Sequence, residues 1–275
     1  MSATSMTARK KAVLSLLVLL LTGLALSGVT DRTGRDYTDA AFERALITFG
    51  VARGLNAAIS VAQGTEISIS PAGVGLHLTP GQMLDPVNDL IERFSMVMLV
   101  STASLGVQKV LLNIAASVVF SVLLVGVLVG ALLALWRPGL LAGIPAGYVY
   151  RIALVLVLLR FAVPIAAIGS ELIYEGFLSE QYLESTEALE QTSRQISKLN
   201  QQDAAQSQAD EGWIERIKNA GRQLDFDKRI AEYKEVASQA SEEAINLIVV
   251  FVMQTLLLPL LFLWLLVRAL RSLWS

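Results

Sequence analysis

The chain has 275 residues, 54% of them hydrophobic and 17% charged, with a mean hydropathy of +0.56. A soluble domain averages about 45–50% apolar and about 25% charged residues, so neither an ordinary globular domain nor a disordered chain fits. The lack of cysteine removes disulfides, iron–sulfur clusters, thiolate zinc sites and cysteine nucleophiles, and a net charge of −2 gives no electrostatic footprint for nucleic acid. What remains is an integral membrane protein.

Residues 1–11 form a short tail ending in Arg9, Lys10 and Lys11. The apolar run 12–28 follows and reads as a first transmembrane helix or uncleaved anchor. Its basic flank and the small residues Ala25 and Ser27 also fit a cleaved signal peptide. A span needs about 20 apolar residues. Residues 113–136 supply them without a charge, 147–169 with Arg151 and Arg160 alone, and 244–267 again without a charge. Segments 1–11, 137–146 and 268–275 hold Arg9, Lys10, Lys11, Arg137, Arg268 and Arg271 and no acid. All 24 acidic residues fall within 29–93 and 170–243. The positive-inside rule therefore places both termini and the 137–146 turn in the cytoplasm, with 29–112 and 170–243 outside.

The segment 29–112 is of mixed character. Residues 39–62 read as a helix, with Phe42, Ala45, Leu46, Phe49 and Ala52 at helical spacing. Alternation on either side of Pro71-Ala72-Gly73 predicts a short β-hairpin. Asp85-Pro86 forms an N-cap with proline at the first helical position. The helix starting there has no proline until Pro138 and carries Leu90, Phe94, Val97, Ser101, Leu105, Gln108, Leu112 and Ala115 at 4-3 spacing. A continuous helix to Trp136 places residues 86–110 outside the hydrocarbon. The alternative is a re-entrant segment at 94–108, around Ser101, Thr102, Ser104 and Gly106.

Residues 170–243 read as an antiparallel helical hairpin. Leu178, Tyr182, Ser185, Leu189, Thr192, Ile196 and Leu199 follow a heptad seam. A polar tip at 200–212 precedes a second helix carrying Ile217, Leu224, Ile230, Tyr233, Ala237, Ala240, Ala244 and Leu247. The phase slips near Asp225-Phe226-Asp227, as a stutter does. The seam is thin, and 86–110 is the natural third helix to cover it.

Catalytic chemistry finds no support. His77 is the one histidine, so a Ser-His-Asp triad would have to use it, and no motif surrounds it. Glu180, Glu184 and Glu187 lie a helical turn apart without the Glu-x-x-His pattern of a di-metal bundle, and read as a solvated face. No cofactor motif occurs.

Arg160 is the residue that stands out. It lies nine positions past Arg151, ~13.5 Å of helix rise and close to the bilayer midplane, where an arginine costs about 2.5–3.5 kcal/mol on insertion scales. No acid lies within any of the four spans. Pro164 leaves the carbonyl of Arg160 without its helical donor. Two readings follow. Arg160 attracts anions, or it is a structural arginine bonded to Gln254, Ser121 and free carbonyls or reaching a lipid phosphate. Gly126 and Gly130, with Gly139, Gly143 and Gly147 across the inner turn, mark faces for close helix packing or self-association.

The expected architecture is an all-α membrane protein: a four-span helical bundle with an extracytoplasmic antiparallel coiled-coil hairpin and a small mixed segment. The expected setting is a bacterial inner membrane. The expected role is non-enzymatic and without cofactor: assembly or accessory work through the hairpin, partnered by a second copy or another envelope protein. The alternative is a homo-oligomeric channel or transporter for small anions built on Arg160.

Overall fold

The computed structural model describes residues 8–64, 67–69, 76–78, 85–137, 146–209 and 219–272. Nearly all of them are helical. In chain order come α1 (Ala8–Ser27), α2 (Val29–Gly64), the three-residue strands β1 (Ile67–Ile69) and β2 (Leu76–Leu78), α3 (Asp85–Ala115), α4 (Val118–Trp136), α5 (Ala146–Ile173), α6 (Ser179–Ala209), α7 (Asn219–Val252) and α8 (Leu258–Ser272). Two π turns, π1 (Tyr174–Leu178) and π2 (Met253–Leu257), join α5 to α6 and α7 to α8. The strands pair antiparallel with Ser68 opposite His77. The turn 71–73 and the residues Gly139, Gly143 and Ile217 lie outside the described residues, as do the side chains of Leu224 and Ile230.

Five helical stretches are long and apolar enough to cross a membrane: Val29–Gln63, Asp85–Ala115, Val118–Trp136, Gly147–Gln202 and Ala231–Ala269. The N-terminal stretch Lys11–Ser27 is apolar but shorter. Two of the four expected spans, 147–169 and 244–267, fall within these stretches, and 113–136 overlaps two of them across the break at 116–117. The additions are α2 and α3. α2 starts ten residues before the expected position 39, and it carries apolar side chains on more than its buried face.

The long helix expected to run to Trp136 is interrupted. α3 ends at Ala115, and Ser117 caps α4, its Oγ accepting from the Phe120 amide at 3.2 Å. A serine hydroxyl competes for backbone donors and favours a helix start. Within α3 the backbone is helical throughout 94–108, so that stretch does not turn back on itself.

The chain divides into two compact units. The first comprises Met1–Phe42, Ser104–Tyr174 and Gln254–Ser275. Its helices pack as α1 on α4, α4 on α5 and α5 on α8. Ala25, Leu124, Leu128, Ala131, Ala153, Val157 and Phe161 form one buried cluster. Trp136 donates its indole N–H to Ser15 Oγ at 2.9 Å, which pairs the end of α4 with the start of α1. Close approach is made at two glycines that the sequence reading passes over. A Cβ on Gly34 would lie 3.1 Å from the Pro164 backbone, and one on Gly169 would lie 2.3 Å from the Phe262 ring. By contrast, a Cβ on Gly126, Gly130 or Gly147 would meet nothing within 4 Å, so among the described residues these glycines make no close helix contact.

The second unit comprises Glu43–Ala103 and Glu175–Met253. Four helical segments each bury one stripe at 3-4 spacing: Ala45, Thr48, Ala52, Leu55, Ile59 and Ala62 on α2; Ile91, Phe94, Met98 and Ser101 on α3; Tyr182, Ser185, Leu189, Thr192 and Ile196 on α6; Tyr233, Ala237, Ala240, Ala244 and Leu247 on α7. Tyr182 stacks edge-on against Phe251 with centroids 6.0 Å apart, and Asn200 Oδ1 accepts from the Tyr233 hydroxyl at 3.3 Å. Moving forward along α6 thus means moving backward along α7, so the two helices are antiparallel.

Three expected core positions need correction here, two on the seam and one on α2. Leu178 and Leu199 are only half-buried, and Asn200 takes the buried position after Ile196 because Ala58 and Tyr233 bond its amide. On α2 Leu46 is exposed, and alanine and threonine face inward in its place. Small residues let the helices approach closely. Glu180, Glu184 and Glu187 are exposed.

Candidate functional site

The first unit holds an ion pair at a helix junction. α1 stops at Ser27, and Gly28 takes φ +64°, a left-handed conformation that glycine adopts without steric cost. α2 begins at the next residue, and the Arg32 amide bonds back to the Gly28 carbonyl at 3.1 Å. Asp31 therefore sits in the first turn of α2, where a carboxylate faces the positive end of the helix dipole.

Arg160 of α5 reaches this junction and is 1% exposed; Asp31 is 8% exposed. The two terminal guanidinium nitrogens bond the two carboxylate oxygens of Asp31, a bidentate pairing. Nη2 also donates to the Ala25 carbonyl at 3.1 Å. That carbonyl lies in the last turn of α1, where carbonyls have no intrahelical partner. One guanidinium thus closes the C-terminus of α1 and the N-terminus of α2 together. Its Nε has no hydrogen-bond partner.

This geometry overturns the expectation that Arg160 lacks an acid. The span boundary drawn after residue 28 cuts Asp31 off from its partner. Relative to α1, Arg160 stands at the helix end and not half-way along. Gln254 and Ser121 do not bond it either. Gln254 is engaged elsewhere, and Ser121 opens α4, its amide donating to Ser117. Pro164 lies inside α5 against Gly34, a residue of the same α2 turns that carry Asp31.

A second polar feature lies in the same unit. Thr38 of α2, Gln108 of α3, Ser170 and Glu171 of α5 and Gln254 of π2 line a small recess with Tyr37, Ala41, Leu105 and Ala167. It has room for about one water molecule. Gln254 Nε2 donates to Glu171 Oε2 at 3.3 Å. Glu171 is 4% exposed and Gln254 3%. The Gln254 Oε1 and Ser170 Oγ atoms are buried and have no hydrogen-bond partner. π turns are rare and concentrate at functional sites; Gln254 belongs to one, and Glu171 lies three residues before the other. Sequence reading named Gln254 and missed Glu171, because the Glu171 position falls just past the span end drawn at 169.

Among the described residues no group of three or more His, Asp or Glu side chains is arranged to hold a metal ion. Compared with family models, with curated proteins and with solved structures, the chain matches none. The ion pair and the recess therefore stand on their own geometry. The first is a neutral structural clamp, and the second is an oxygen-rich cleft with unsatisfied acceptors.

Proposed function

We propose that the chain is a four-span protein of a bacterial inner membrane, with both termini cytoplasmic and residues 29–112 and 170–243 in the periplasm. There it works without catalysis, as an assembly or accessory subunit that binds other protein through its helices. One observation carries this reading. Asn200 of α6 donates to the Ala58 carbonyl of α2 at 2.9 Å, so these stretches of α2 and α6 lie at one level within one unit. The exposed face of α6 there carries Glu184, Glu187, Glu190, Arg194 and Lys198, which lipid does not accept. On this reading the α2 turns around Ala58 are outside the bilayer as well, although the composition of α2 would allow it to cross.

Outside the lipid, the apolar side chains that α2 and α3 expose need another cover. Leu46, Ile47 and Val61 on α2 and Met96, Leu99 and Val100 on α3 are each about half exposed or more. Exposed apolar surface of this kind on a soluble face marks a protein-binding site. The α6–α7 coiled-coil hairpin, an acidic region, completes that surface. An anion path built on Arg160 loses its basis, because Asp31 cancels the charge that would attract the anion.

The test is the mass and chain content of the complex extracted gently from its native membrane. The expected result is more than one copy, or a second protein at fixed stoichiometry. Replacing Ile47 and Met96 together by glutamate should release the partner while leaving membrane insertion intact. A single copy without a partner overturns the reading.

A further inference from the structure

We propose that the recess between Thr38, Gln108, Ser170, Glu171 and Gln254 is a binding site for a small monovalent cation, sodium by size and charge. It is independent of the association proposed above, since a chain without partners can still bind an ion.

The argument starts from unsatisfied atoms. Gln254 Oε1 is an acceptor only, it is buried, and it has no donor. Ser170 Oγ, equally buried and without a partner, also turns up in the same wall. Buried polar atoms are rarely left so, and each exception calls for an occupant. Gln254 Oε1 can only accept and Ser170 Oγ can accept beside it, so an occupant that serves both is a donor or a cation. The Nε2 bond to Glu171 fixes the orientation of the Gln254 amide and turns its oxygen away from that carboxylate.

The wall then sets the chemistry. It offers carboxylate, amide and hydroxyl oxygen and no sulfur or imidazole, which suits a hard cation. The wall holds a single carboxylate, and a divalent ion would want more. The volume, about that of one water, excludes an organic ammonium. No Lys, Arg or His is among the lining residues, so an entering cation meets no repulsion from the wall. The donors come from α2, α3, α5 and π2, and an irregular helix segment is where membrane proteins free oxygen atoms for sodium.

The experiment uses the purified full chain in lipid nanodiscs and follows thermal unfolding by tryptophan fluorescence. Sodium chloride is titrated against choline chloride at constant ionic strength. The expected result is a saturable rise on the order of a few degrees with sodium and none with choline. Ser170→Ala removes an oxygen that supports nothing else, so this variant should fold. With Gln254→Leu beside it, each should weaken the apparent sodium affinity by about tenfold or more. Equal responses to sodium and choline overturn the site. So does a sodium response that persists unchanged in both variants, since the ion then binds elsewhere.

Discussion

At the scale of single residues, Arg160 and Asp31 form a unit that neither can leave. Removing one partner of a buried pair strands the other charge and costs about 3–5 kcal/mol, whereas replacing both by apolar groups is often near neutral. Arg160→Met and Asp31→Leu should each lower the unfolding temperature and the yield of inserted protein. The double variant should recover most of the loss. A thermal unfolding series on the four proteins checks this, and equal losses in singles and double would mean that the two residues act independently. Arg160→Lys should fall between, since an ammonium cannot hold both carboxylate oxygens and the Ala25 carbonyl in one plane. The arginine was legible in the sequence because a charge inside an apolar run is conspicuous. Its partner was not, because Asp31 lies among the charged residues after Gly28 and only the fold distinguishes it from Asp36 or Asp39.

At the scale of elements, periodicity located α6 and α7 with the stripe buried on each, and the Asp85-Pro86 cap located the start of α3, where Ile91 and Met98 take the buried positions expected for Leu90 and Val97. On α2 it placed Ala45 and Ala52 on the buried face, but it added Leu46, which is exposed, and left out Thr48, which is buried. Hydrophobicity alone ranks leucine above alanine, while close helix approach reverses that order. The same blindness affected glycines. A Gly-x-x-x-Gly spacing drew attention to Gly126 and Gly130, but the intimate contact is made by Gly169, on which the Phe262 ring of α8 rests. Gly169→Ala should cost about 1–3 kcal/mol through overpacking. Adding Phe262→Leu should return part of that, whereas Gly126→Ala should change little in the isolated chain. Unfolding of the three variants in detergent micelles decides whether the α5–α8 contact is as tight as described.

At the scale of the whole molecule, composition alone established a membrane protein, and charge counting supplied an orientation. How many helices cross is the harder question, because α2 and α3 qualify by length and hydropathy. The chain has no cysteine, so single cysteines can be introduced without background labelling. Asp36 and Ser60 lie toward the two ends of α2 and are both exposed. With four spans, an impermeant maleimide added to intact spheroplasts should label Asp36→Cys and Ser60→Cys alike. If α2 crosses as a span of its own, the two positions should label from opposite sides.

The Arg160–Asp31 pair also has a consequence in time. The two residues are separated by 129 positions. At about 5–20 residues per second, roughly 6 to 26 s pass between synthesis of the acid and synthesis of its counterion. During that interval the end of α1 has no guanidinium to close it, and the Asp31 carboxylate has no counterion from α5. The α1–α2 junction is therefore synthesised long before the contact that locks it exists.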